Sequence, residues 1–202
     1  ADRPALASDI LGRLRVQLGE RLGRRDARAW DALFVVDFPL FEVQENGQLT
    51  YMHMPFVAPL EEDIAVLSTN PRHVRATHYD LVLNGVELGS GSLRNHRSDV
   101  QLKILEILGY SEAQARERFG FMLEALDTGA PPHGGFAFGV DRFAMLLTGC
   151  EAIRDIIPFP KTQKHACLLT GSPAPTSDAA LRELYIKVLK EEVEKAGISK
   201  HA

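Results

Sequence analysis

An antiparallel α+β fold is what the 202-residue sequence predicts, on three observations. Strand-like segments fill the middle of the chain and helical ones lie outside them. An Asn84-Gly85 dipeptide parts two apolar runs, the strongest short hairpin signal a sequence carries. The composition, 45% hydrophobic and 25% charged, is that of a globular domain large enough to fold without a metal or disulfide staple.

Residues 8–22 read as a helix, with Ser8 as N-cap, Ile10, Leu11, Leu14, Val16, Leu18 and Leu22 as apolar positions, and Gly23 as C-cap. The basic run Arg24-Arg25-Asp26-Ala27-Arg28 reads as a solvated connection and marks the one domain boundary. Ala32 to Val36 is a continuous apolar run, as in a strand covered on both faces. Leu49 to His53 reads as a second strand after the turn Glu45-Asn46-Gly47. Thr77–Leu83 and Val86–Leu88 form the hairpin arms, and helices are expected near 98–108 and 111–127. Phe136 to Val140 reads as a last core strand that runs into a helical segment from Asp141 to Leu147. The amphipathic tail from Asp178 to Ala196 is left open between states.

A formal charge of −4 and a pI near 6.0 argue against wholesale electrostatic binding of nucleic acid. No window is long and apolar enough for a membrane span. The start, Ala-Asp-Arg-Pro, lacks both signal-peptide layout and an initiator Met, as expected for a piece of a longer protein. Two cysteines, Cys150 and Cys167, form no framework and point to a reduced, cytoplasmic setting.

A two-residue turn at Asn84-Gly85 sets Val82 opposite Glu87, with Asp80 their diagonal neighbour on one face. Paired carboxylates call for Mg²⁺, a basic side chain or a shared proton; a wet sheet face is the alternative. Arg94 lies seven residues beyond Glu87, so a regular strand would put the two on opposite faces. A bulge within residues 89–92, where Gly89-Ser90-Gly91 offers cheap backbone, would bring Ser92 and Arg94 to the carboxylates. In Gly134-Gly135-Phe136-Ala137-Phe138-Gly139-Val140-Asp141-Arg142, small residues leave room for a flat group, and Arg142 opens a helix where it could stack on one or reach a phosphate. His53 ends a strand and could be structural or catalytic; His73, His78, His96, His133, His165 and His201 show no metal-ligand spacing with one another or with the cysteines.

Taken together, Val36-Asp37-Phe38-Pro39-Leu40-Phe41, Met52-His53-Met54-Pro55-Phe56, Tyr79 to Gly89, Gly91-Ser92-Leu93-Arg94, Gly129 to Gly135, the stretch through Arg142 and Ile153-Arg154-Asp155 to Lys161 resemble the C-terminal catalytic part of bacterial-type aspartyl-tRNA synthetases, class II enzymes. The resemblance runs nearly from Trp30 to the end. It implies a class II antiparallel sheet flanked by helices, with residues 1–23 the end of an insertion domain and 24–202 the C-terminal portion of the catalytic domain. It also implies roles. Asp80 and Glu87 would hold Mg²⁺, and Glu87, Gly139, Val140, Asp141 and Arg142 would bind ATP, with Glu87 and Arg142 catalytic. His53, Ser92 and Arg94 would bind L-aspartate. The substrates would be aspartate, ATP and tRNA(Asp), or tRNA(Asn) as well, in a cytoplasmic homodimer with no membrane contact. The chain departs from the family at Met54, where a second His is usual, and at Asn95, usually hydrophobic. The family's first and second motifs precede this segment, so the segment alone is expected to be inactive. A truncated paralogue acting as a binding or regulatory module is the alternative, and an asparagine-type enzyme on the same fold is disfavoured.

Overall fold

A computed structural model describes residues 4–24, 26 and 29–188. It divides into two compact units, Ala1–Ala144 and Met145–Ala202.

In the first unit, helix α1 spans Pro4–Arg21. It begins before Ser8, which lies inside the helix and is not its cap. It closes as expected at Gly23, whose φ of 60° lets its N–H reach the Glu20 carbonyl (3.1 Å) and the Arg24 N–H reach that of Gly19 (2.9 Å). The basic run 24–28 lies largely outside the described residues.

Four strands, β1 (Ala32–Val35), β4 (His78–Leu83), β5 (Val86–Leu93) and β6 (Gly134–Phe138), form a fully antiparallel sheet in the order β1-β4-β5-β6. A separate hairpin pairs β2 (Phe41–Val43) with β3 (Leu49–Tyr51). The β4–β5 hairpin turns on Asn84 (φ 50°) and Gly85 (φ 80°), the left-handed pair a two-residue turn needs. The Asn84 side chain also accepts the Asp31 N–H and donates to the Ala29 carbonyl, both at 2.9 Å, which ties the start of β1 to the turn.

Neither β1 nor β6 is the core strand expected: every residue of both is exposed, and each lies at an edge of the sheet. Apolar runs record that a strand can be buried, not that its neighbours lie within the same stretch of chain. The core instead gathers Leu40, Phe41, Val57, Leu67, Val74, Ala76, Val100 and Ile104, beneath helix α2 (Ser98–Ile107) and the β2–β3 hairpin. Helix α3 (Glu112–Asp127) opens on a capping box between Ser111 and Gln114 and packs Ala115 and Leu123 fully inside. Two further polar devices brace the region. Arg75 forks onto Asp63 at 2.9 and 3.0 Å and reaches Glu62 at 3.1 Å. Buried Asn95 donates to Gln101 Oε1 (3.3 Å), and Gln101 donates to the Pro55 carbonyl (2.8 Å).

Helix α4 (Val140–Thr148) contains the division between the units. In the second unit, a short helix α5 (Asp178–Glu183) is capped by Ser177, and the rest of the expected tail, from 189, lies outside the described residues. Cys150 and Cys167 are free thiols.

Candidate functional site

One extra residue in β5 builds the site. Leu83 pairs with Val86 and Val82 with Glu87, but Leu81 pairs with Gly89 and Asp80 with Ser90, so Leu88 is left over as a bulge. Side chains alternate along a strand, and the bulge resets that alternation. Asp80, Glu87, Ser90, Ser92 and Arg94 therefore share one face, together with Gly135 and Ala137 of β6. The bulge falls one residue before the expected 89–92 interval, where pairing is regular. The glycines of that interval are needed elsewhere. A Cβ on Gly89 would run into the Phe136 ring, and one on Gly91 would stand 2.6 Å from the Tyr79 ring. Tyr79 and Phe136 stack at 6.1 Å on the opposite face, so these glycines are seats for aromatic rings.

The bulge also anchors the following helix. The Leu88 carbonyl accepts the Gly139 N–H at 2.6 Å, at the junction between β6 and α4. From the first turn of α4, Arg142 then donates to the Glu87 carbonyl (2.7 Å) and to its carboxylate Oε1 (2.9 Å). Val140 and Asp141 occupy the same turn with exposed side chains. Glu87 is thus neutralised by a basic side chain, one of the solutions that paired carboxylates require.

Asp80 is held differently. His78 Nε2 lies 3.0 Å from Asp80 Oδ1 and 3.1 Å from Ser90 Oγ. His53, expected in the site, stacks on His78 with ring centroids 3.6 Å apart and planes 15° from parallel, and Phe38 packs edge-on against both. Partial desolvation and the neighbouring His78 imidazole lower the His53 pKa from its ordinary value. Sequence spacing gave no sign that any histidines share a site. The structure corrects this: His53, His78 and Asp80 offer donor atoms within 4.8 Å of one another. His78 sits two residues before Asp80 on a strand, the one sequence signal that the two share a face.

Arg94 lies at the far end of the same face, fixed by its N–H to the His133 carbonyl (2.8 Å) and by a bridge to Val57. Its guanidinium touches the Met54 sulfur. Ser92 is buried between Arg94 and Ser90 along the strand. Asn95, the other departure, faces the core and braces Pro55 through Gln101. The face therefore carries carboxylates at one end, a guanidinium at the other and open space above Gly135, where a Cβ would meet nothing within 4 Å.

The fold places the chain first. An aspartyl tRNA synthetase from Entamoeba histolytica matches it with a TM-score of 0.51 at 23% identity, over 74% of this chain and 26% of that one, which shows a shared antiparallel α+β fold. The sequence model of the tRNA synthetases class II (D, K and N) matches residues 13–163, and the chain belongs to that family. Curated relatives include an aspartate–tRNA(Asp/Asn) ligase of Thermoanaerobacter sp. (strain X514), 48% identical over 93% of this chain, and an aspartate–tRNA ligase of Geobacillus kaustophilus (strain HTA426), 50% identical over 96%. The chain spans about a third of the length of each, 32% and 33% respectively. No helix among the described residues is long and apolar enough to cross a membrane.

Proposed function

We propose that the chain is the C-terminal portion of the catalytic domain of an aspartate–tRNA ligase, which activates L-aspartate with ATP and passes the aspartyl group to the 3′ end of tRNA(Asp). The reading extends to residues 1–23 as the end of an insertion domain, and to a cytoplasmic homodimer. The observation that carries it is the single sheet face on which the bulge assembles Asp80, Glu87, Ser92 and Arg94.

Arg94 offers a planar two-pronged donor suited to the side-chain carboxylate of aspartate, with Ser92 and His53 lining the same face. Met54 must give way for that contact, since its sulfur rests on the guanidinium. Arg142 and Glu87, with Gly139, Val140 and Asp141 around the strand–helix junction, form the ATP end. A divalent cation suits the donor set there: two carboxylates, diagonal neighbours on one face, present hard oxygen ligands. Bound Mg²⁺ would neutralise phosphate charge. The chain's own contribution is to hold the two substrates along one rigid face, so that the α-carboxylate of aspartate attacks the α-phosphate, with pyrophosphate leaving, without a search for orientation.

Aspartate-dependent exchange of pyrophosphate into ATP tests this, in the longest reading frame that contains the chain. Exchange with aspartate and not asparagine is expected. Exchange with asparagine would move the reading to the asparagine-type enzyme, and absence of exchange would favour a binding module. The 202-residue chain by itself is expected to show only trace exchange.

A further inference from the structure

Among the described residues, one cluster of side chains has a chemistry that carboxylates and phosphates do not explain. His78 is buried, with its side chain 9% exposed, and its Nδ1 has no hydrogen-bond partner. Its Nε2 faces Asp80 Oδ1 and Ser90 Oγ, and a second imidazole, His53, is stacked on it. Two imidazoles and a carboxylate converge with all three donor atoms inside 4.8 Å.

We propose that His53, His78 and Asp80 form a binding site for a transition-metal dication of the Zn²⁺ or Co²⁺ class. Imidazole nitrogen suits such ions and is a poor ligand for Mg²⁺, which takes oxygen. Around a tetrahedral ion with bonds of about 2.0–2.1 Å, ligand atoms stand roughly 3.3–3.5 Å apart. His78 Nε2 and Asp80 Oδ1, at 3.0 Å, are already close to that spacing. Two stacked rings cannot both point a lone pair at one ion, so one must turn. His53 is the member free to do so, because it is exposed in the bend after β3 while His78 is locked into β4. Closing the donor gaps takes a shift of at most about 1.4 Å, within the reach of a side-chain rotation. Water or Ser90 Oγ completes the shell, as in sites with three protein ligands and an open position.

The site goes beyond the proposed ligase reading and does not depend on it. Asp80 and His53 belong to both, so an ion bound here removes one carboxylate and one imidazole from the face proposed to meet the substrates. The test is calorimetric titration of the 202-residue chain with Zn²⁺, in 5 mM Mg²⁺, and the visible spectrum of the Co²⁺ form. One ion per chain is expected, with ligand-field bands showing nitrogen ligation. His53→Ala should weaken Zn²⁺ about tenfold or more and shift the Co²⁺ bands, with an unchanged thermal midpoint showing that the fold is kept. Asp80→Asn should do likewise, and His133→Ala, outside the cluster, should change neither. No stoichiometric binding, unchanged binding in His53→Ala, or displacement by the Mg²⁺ present would overturn the proposal.

Discussion

Gly91 and Gly135 sit on neighbouring strands but face opposite ways, and replacing each by alanine should give opposite results. A Cβ on Gly91 would stand 2.6 and 2.8 Å from Tyr79 ring carbons and collide with the Gly135 carbonyl oxygen. Reaching ordinary contact at 3.4 Å needs a retreat of about 0.8 Å. The ring could tilt, but it is stacked on Phe136 and its hydroxyl donates to the Gly135 carbonyl at 3.2 Å. That carbonyl is backbone and paired in the ladder, so it cannot move without β6. Overpacking of this kind costs about 1–3 kcal/mol. Gly135→Ala meets nothing within 4 Å, and its smaller unfolded-state entropy makes it neutral or stabilising by up to about 1 kcal/mol. Urea unfolding of both variants measures this. At an m-value near 2 kcal/mol/M, Gly91→Ala should lower the midpoint by about 0.5–1.5 M, and Gly135→Ala should not lower it. Equal midpoints for the two variants would refute the assignment of faces.

Ile104→Ala removes a side chain with no exposed surface from the centre of the core and should cost about 2–5 kcal/mol in the same assay. Asn95→Ala should cost about 1–3 kcal/mol, read as a lower thermal midpoint, because it leaves the Gln101 carbonyl oxygen buried and short of a partner. The Arg75 guanidinium holds the Asp63 carboxyl below its ordinary value of 3.8. The stability this confers is complete above that value and lost as pH falls through the lower folded one. Acid titrations of stability should therefore be shallower below pH 4 in Asp63→Asn than in the parent. In the full reading frame, Arg94→Lys should raise KM for aspartate far more than KM for ATP, since lysine keeps the charge but loses the fork; an equal rise would count against a carboxylate clamp.

Local signals were legible where a few adjacent residues decide the outcome. Asn84-Gly85 specified its turn, Ser111 and Gln114 their cap, and Gly23 the end of α1. The need for one absorbed residue between Glu87 and Arg94 also followed from alternation alone. Its position did not, because Gly89 and Gly91 are reserved by Tyr79 and Phe136, and strand pairing across fifty residues is invisible in a linear pattern. For the same reason, nothing in the sequence linked His53 to His78, or Arg75 to Asp63, although both pairs are in contact. Burial was the hardest to read: β1 and β6 are apolar yet exposed.

The bulge carries a consequence for how this strand can change length. Removing Leu88 would leave Val82 opposite Glu87 and Leu81 opposite Gly89, which is the pairing of an unbroken two-residue hairpin. A one-residue deletion, ordinarily the most damaging lesion in a strand because it inverts every side chain beyond it, would here leave Ser90, Ser92 and Arg94 facing as before. What it would take away is the acceptor for the Gly139 N–H, one of the contacts that hold the start of α4. A deletion from Ser90 to Leu93 could draw on the same bulge only by inverting the residues that lie between it and Leu88. Among diverged copies of this strand, single-residue gaps should gather at the bulge, and those that carry one should show a different residue or spacing at the strand–helix junction.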